Sequence, residues 1–397
     1  MPSALTWSFA ALGAAYWLVV VFVGIAMRVR LTRLDPPGEP LPAAARPDVS
    51  IVVAARDEVD TIAASIETAR ALEGVGWELV LVDDRSTDGT GALMDAAAAS
   101  DARIRVVHVD ELPAGWLGKV HALERGRALA RGRWLLFTDA DVELAPGSLA
   151  QAIAHVERLR LDQLAVLPEI ESRGLWVAGA VGTFGRWLVL GGGLWRATDA
   201  DSSHAFGIGA FNLVRADALG RAGGFEWLRM DVADDAALAH LIAQRGGRTQ
   251  LASGRGLARV HWQPSVRAMT RGFEKYGSSG SFGSHGRAVA TATFAALSEL
   301  APAIALLLAY AFAPGHGSPA VSVVVLLTYV AALGSGALLV RSGTVPARSL
   351  VTLPLAAGLV WFMLVRASWL EHRRGGLVWR DTFYATADIR AGRRFSL

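Results

Sequence analysis

The chain has 397 residues, 52% of them hydrophobic and 19% charged, with a net charge of +3 and a mean hydropathy of +0.35. That balance is too apolar for an ordinary soluble domain and points to membrane segments. No basic stripe with interleaved aromatics signals nucleic-acid binding, and the absence of cysteine excludes disulfides, a thiolate nucleophile and cysteine-ligated zinc.

Residues 5–27 carry no charge and suffice to span a bilayer, which predicts a transmembrane helix over 5–29. Arg28, Arg30 and Arg33 follow it; they argue against a cleaved signal peptide and for a cytoplasmic C-terminal side. Residues 30–48 read as a proline-rich linker. A strand–helix alternation then begins. Strands are expected at Val49–Ala54, Glu78–Val82, Ile104–Val109 and Trp134–Thr138, with helices at Asp57–Leu72, Thr90–Ala98 and Lys119–Ala130. Such alternation predicts an α/β domain, 49–265, with a mainly parallel sheet and its ligand site at the carboxyl ends of the strands. Further strands are expected at Leu164–Leu167 and Gly207–Val214, and a helix at Asp234–Gln244. Val266–Tyr276 sets Met269, Phe273 and Tyr276 against Arg267, Arg271 and Lys275, which predicts an amphipathic interfacial region over 266–286.

Residues 287–370 hold three more apolar runs, 288–313, 320–340 and 349–370, and 371–397 form a basic tail. Three crossings would put that tail opposite a cytoplasmic domain, against the positive-inside tendency. One run is therefore expected to be re-entrant or interfacial, and 349–370, broken by Pro354 and charged from Arg366, is the candidate. Glu299 inside the first run reads either as a group facing the domain or an acceptor channel, or as the partner of an arginine.

The chemistry concentrates in four places. Asp139-Ala140-Asp141 ends the strand at Trp134–Thr138. Two carboxylates so spaced offer oxygen ligands to Mg²⁺ or Mn²⁺, usually completed by substrate phosphates; the alternative is an acidic turn. Asp83 at another strand end can accept hydrogen bonds from a nucleoside, while Asp84 and Asp88 shape the turn. Lys119 begins a helix, and an ammonium at a helix N-terminus attracts anions. Lysine occurs only at 119 and 275, against a large excess of arginine. Asp234 and Asp235 open a helix, where they either cap it or place a base; Asp231 competes from the same loop.

The ordered set Val49-Ser-Ile-Val-Val-Ala-Ala-Arg-Asp-Glu58, Val82-Asp-Asp-Arg-Ser-Thr-Asp-Gly-Thr90, Gly118-Lys119 and Phe137-Thr-Asp-Ala-Asp141 resembles family 2 glycosyltransferases of the GT-A fold. The membrane arrangement is similar to the branch holding ceramide-glucosyltransferase-like and hopanoid-associated enzymes. The resemblance implies a Rossmann-like catalytic domain with N- and C-terminal transmembrane helices in a bacterial inner membrane, its catalytic domain cytoplasmic. It implies an inverting transfer from a nucleotide-diphosphate sugar, UDP-linked, to a lipid hydroxyl. Asp57, Glu58, Asp83, Lys119 and Asp139 would bind the donor, and Asp139 and Asp141 the Mg²⁺ or Mn²⁺. Asp235 would be the general base, with Asp234 in the place of the first acid of that motif. His204 falls in a glycine-rich stretch near the family's acceptor site. The Gln/Arg-x-x-Arg-Trp motif of processive relatives is absent; Trp262, Arg271 and Lys275 come nearest, as diphosphate or acceptor contacts or as side chains reaching lipid headgroups. Related tails also carry a Trp-Arg-x-x-x-Tyr pattern near the active site, matched by Trp379-Arg380 and Tyr384. The competing readings are a polyprenyl-phosphate sugar synthase, a polysaccharide synthase and a catalytically idle nucleotide sensor. A dinucleotide oxidoreductase is disfavoured because no Gly-x-Gly-x-x-Gly follows the first strand.

Overall fold

The structure is a computed structural model of the chain and describes residues 2–36, 47–277, 282–311 and 318–395. Residues 37–46 of the expected linker and 278–281 of the expected interfacial region lie outside the described residues. In chain order the first elements are α1 (Ala4–Arg30), β1 (Val49–Ala55), α2 (Ile62–Arg70), β2 (Trp77–Asp84), α3 (Thr90–Ser100), β3 (Ile104–Val109), α4 (Gly118–Leu129) and β4 (Trp134–Asp139). There follow β5 (Val142–Leu144), α5 (Ser148–Leu159), β6 (Gln163–Leu167), β7 (Glu169–Ile170), α6 (Leu175–Gly191), β8 (Asn212–Arg215), α7 (Ala216–Ala222), α8 (Asp234–Gln244), β9 (Thr249–Ser253) and β10 (Ala258–Val260). The last are α9 (Val266–Tyr276), α10 (His285–Ala311), α11 (Pro319–Ser342), α12 (Ala356–Arg374), β11 (Gly376–Trp379), β12 (Thr382–Ala385) and α13 (Thr386–Gly392).

They form two compact units: Met1–Leu31 with Ser172–Trp195 and Gln263–Arg374, and Thr32–Glu171 with Arg196–Trp262 and Gly375–Leu397. In the first, α1, α10 and α11 are long and apolar enough to cross a membrane. Small residues let them pack closely, as membrane helices require: Ala10, Ala305 and Ala309 are buried, and a Cβ on Gly13 would stand 2.6 Å from the Pro302 ring. α12 is not among these three helices; its second half carries Arg366, Glu371, Arg373 and Arg374. On α9, Met269 and Phe273 are buried while Arg267 and Arg271 are exposed. Glu274 binds Arg366 at 3.0 Å and Arg374 at 2.9 Å. α6 is a departure from the expected domain 49–265, because residues 172–195 pack with the apolar helices. Residues 177–183, Val-Ala-Gly-Ala-Val-Gly-Thr, are all buried, as a helix apolar on every side requires. Its buried Arg186 pairs with Glu299, which also accepts from Trp187 Nε1 at 2.9 Å. Glu299 thus has an arginine partner, the plainer of its two readings.

In the second unit a seven-stranded sheet runs β3-β2-β1-β4-β8-β6-β9. β3, β2, β1 and β4 are mutually parallel; β8 is antiparallel to both its neighbours. β1 and β2 are apolar and β-branched on both faces, as strands covered from both sides must be. Ile51, Leu79 and Leu136 face one core; Val52, Val80 and Leu135 face the other. Burying each such side chain contributes roughly 1.5–3 kcal/mol. The second core takes in α4 and α8 and also Leu377, Tyr384 and Ile389 of the tail, whose strands β11 and β12 form a hairpin.

Two elements differ from expectation. α2 begins at Ile62, not Asp57, because residues 57–59 bond instead to the loop after β2: Thr87 N–H donates to Asp57 Oδ1 at 2.8 Å and Glu58 N–H to Thr90 Oγ1 at 2.8 Å. The strand expected over Gly207–Val214 is reduced to Asn212–Arg215, for a reason found in the site itself.

Candidate active site

The carboxyl ends of β1, β2 and β4, the start of α4 and the start of α8 converge. Lys119 Nζ lies 2.6 Å from Asp139 Oδ1 and 3.4 Å from Asp234 Oδ2. Burial opposes its charge, but Asp139, Asp234 and Asp235 outweigh that and hold the ammonium pKa well above its usual value. Beside it, Asp235 Oδ2 accepts from Gly209 N–H at 2.8 Å. A small cavity of about 10 Å³ is lined by Lys119, Thr138, Asp139, Gly209, Asp234 and Asp235, room for about one water molecule.

Gly209 explains the shortened strand. A Cβ there would stand 2.8 Å from Asp139 Oδ2 and 3.4 Å from Asp235 Oδ2. A Cβ on Gly207 would collide with the Asp235 carbonyl. The segment threads between two carboxylates as a loop, and only glycine fits at both points. Gly207-Ile-Gly209 was the available signal for this contact. His204 precedes that passage; its N–H donates to Ser202 Oγ at 3.0 Å.

Asp141 follows Asp139 in the turn before β5. Burial, then the charges of Asp139 and Glu58, push its pKa up to about 7. Among the described residues no group of three or more His, Cys, Asp or Glu is arranged to hold a metal ion. The crowding still fits a divalent cation: these are hard oxygen donors whose mutual repulsion a cation would relieve, with substrate phosphates completing the ligand set. Glu58, at the end of β1, accepts from Thr61 Oγ1 at 3.0 Å and pairs with Arg380 of the β11–β12 turn.

Asp83 is placed differently. Strand alternation turns it to the face of Leu79 and Leu81, away from Asp84, Lys119 and Asp139. Its Oδ1 accepts from Ser86 N–H at 3.1 Å, its Oδ2 lies 3.0 Å from His108 Nδ1, and it is 8% exposed. Each oxygen thus has one partner within the protein, and a carboxylate oxygen can accept a second hydrogen bond. Asp84, on the site's own face, binds Arg85 through both oxygens, at 2.8 and 3.2 Å. Asp231 is 1% exposed and accepts from the N–H groups of Arg394 and Phe395 at 3.0 and 2.8 Å. It anchors the tail, while Asp234 and Asp235 line the cavity beside Lys119. Trp262 packs against the core of the first sheet face. Arg271 and Lys275 belong to the other unit, on α9.

The family model described as glycosyl transferase family 2 matches residues 50–220. Over that segment the chain is similar to family 2 glycosyltransferases. Similar proteins include the succinoglycan biosynthesis protein ExoO of Rhizobium meliloti (strain 1021), 38% identical over 133 residues, 32% of this chain and 36% of that protein. The dodecaprenyl-phosphate galacturonate synthase of Rhizobium johnstonii is 32% identical over 101 residues, 25% of this chain and 29% of that protein. The chain spans about a third of the length of these curated relatives. Among solved structures, the mannosyltransferase PcManGT from Pyrobaculum calidifontis in complex with GDP-Man and Mn²⁺ aligns with a TM-score of 0.53 at 17% identity, over 93% of this chain and 98% of that one. That likeness establishes the GT-A fold.

Proposed function

We propose that this protein is an inverting glycosyltransferase that moves a sugar from a nucleotide-diphosphate donor, UDP-linked, to a hydroxyl of a membrane lipid. The observation that carries the reading is the meeting of Lys119, Asp139 and Asp235 around Gly209 at the carboxyl edge of the sheet. The family match supports the transfer chemistry and the nucleotide-sugar donor; the three long apolar helices support a membrane setting.

In this reading Asp235 takes the proton of the acceptor hydroxyl. The oxygen attacks the anomeric carbon as the bond to the diphosphate oxygen breaks, so a single displacement inverts the centre. Lys119 faces the charge that develops on the leaving diphosphate. Asp139 and Asp141 would hold Mg²⁺ or Mn²⁺, which when bound offsets that same charge. Asp57 and Glu58, laced to the loop after β2, would border the nucleoside. Asp83 would accept from the nucleoside while also holding that loop through Ser86 and His108, with Asp84 turned towards the site. Asp234 would keep Lys119 charged and oriented, and His204 and Trp262 are candidate acceptor contacts.

Replacing Asp235 with Asn tests the base: turnover should fall by roughly 10²–10⁴-fold while nucleoside diphosphate binding persists. Near-normal turnover would favour a second reading, a lipid-phosphate acceptor that needs little base catalysis. The similarity to a dodecaprenyl-phosphate galacturonate synthase keeps that reading in play.

A further inference from the structure

The start of α4, which carries Lys119, has no cap of its own. Leu117 occupies the N-cap position and has no side-chain oxygen to offer; a helix start of that kind leaves its first amides in need of partners. The partner comes from far along the chain. Gly118 N–H donates to the Tyr384 hydroxyl at 3.0 Å, and Tyr384 is only 8% exposed. Gly118 admits this approach because it lacks a side chain: a Cβ there would stand 2.6 Å from Asp84 Oδ2 and 2.9 Å from Arg85 Nη2. Arg85 sits at φ 60°, unusual for a non-glycine residue. Its guanidinium is held by Asp84 first and by the Tyr384 hydroxyl as well, which together raise its pKa. The preceding amide, Leu117 N–H, donates to Arg229 O at 2.8 Å. Two residues beyond Arg229, Asp231 grips the backbone of Arg394 and Phe395. Two successive amides at the start of α4 are thus held by Tyr384 of the tail and by the loop that Asp231 ties to it.

We propose that Tyr384 is a positioning residue of the donor site, which fixes the start of α4 through Gly118 so that Lys119 meets the donor diphosphate. The proposal rests on the donor-site reading of Lys119. A displaceable latch, with Tyr384 blocking an amide that the diphosphate would otherwise take, fits the burial less well. The ring belongs to the same core as Leu117 and Val120, and Arg85 and Gly118 both hold its hydroxyl.

Tyr384→Phe keeps the ring and removes only the hydroxyl. The test is titration calorimetry of the full chain in lipid nanodiscs, with Mn²⁺ and UDP or GDP, on the native protein, Y384F, K119A and the double variant. Loss of one positioning hydrogen bond should weaken nucleotide binding about fivefold in Y384F. In the K119A background the same change should have little further effect, because the two residues act in series. Leu377→Ala serves as a control for general loosening of the tail; it should lower the melting temperature and leave nucleotide affinity near native. Native or tighter binding by Y384F, additive losses in the double variant, or an equal loss in L377A would each overturn the proposal. A native protein that binds neither nucleotide, or a K119A variant that binds as well as native, would instead overturn the donor-site reading and the proposal with it.

Discussion

At Gly209 the chain passes between Asp139 and Asp235 with no room for a side chain. Gly209→Ala would place a methyl group 2.8 Å from Asp139 Oδ2, so the loop or the carboxylate must move by some tenths of an ångström. Displacements of this order at a reacting centre are costly. Activity should fall at least about tenfold in kcat/KM, with little change in melting temperature, since the position lies at the sheet edge and outside the main core. Steady-state kinetics beside a thermal melt would check this, and native kinetics would remove the close passage from the account. At this scale the sequence was informative where chemistry is concentrated. Lys119, Asp139, Asp234 and Asp235 stood out as charged residues at element ends, and the fold brings them together. What the sequence did not show is that Asp83 and Asp84, adjacent on one strand, are sent by alternation to opposite faces of the sheet.

Among the elements, the parallel part of the sheet was legible because each strand is a short apolar, β-branched run bounded by turn residues. What escaped was set by tertiary contacts. α2 starts five residues late because Asp57 and Glu58 bond to the neighbouring loop, and the apolar pattern over 207–214 could not reveal that its first half threads between carboxylates. α6 was hidden inside the domain because its apolar run resembles any buried helix. The tail's anchorage joins residues more than 160 positions apart, beyond the reach of periodicity. That anchorage has a pH signature. Burial, outweighing the backbone N–H groups of Phe395 and Arg394 and the charges of Arg393 and Arg394, raises the Asp231 pKa to about 6. Its folded value exceeds its unfolded one, so the contribution to stability is fully present below the unfolded value of about 3.9 and fades as pH rises through about 6. Its full span is about 3 kcal/mol. The difference in melting temperature between native protein and Asp231→Asn should therefore change between about pH 4 and 6 and level off above; a constant difference would contradict the shift.

For the whole molecule, the chain leaves the sheet unit after Trp262 and returns to it at Gly375. Two candidate spans, α10 and α11, lie between those points. If both cross, the tail returns to the side of the sheet, which would remove the conflict between the basic tail and the expected cytoplasmic domain. α12 then need not cross. Because the native chain has no cysteine, single cysteines report cleanly. Arg131→Cys and Arg390→Cys should be labelled by a membrane-impermeant reagent from the same side, and Ser318→Cys from the other. Labelling of positions 131 and 390 from opposite sides would overturn this topology. The most direct test of the central claim is a transfer assay: the purified protein in lipid, Mn²⁺ and a panel of labelled nucleotide sugars, followed by extraction of the lipids. Label is expected in the lipid fraction with at least one donor, lost by roughly 10²-fold or more in Asp235→Asn. No lipid-borne label from any donor, or equal label from that variant, would contradict it.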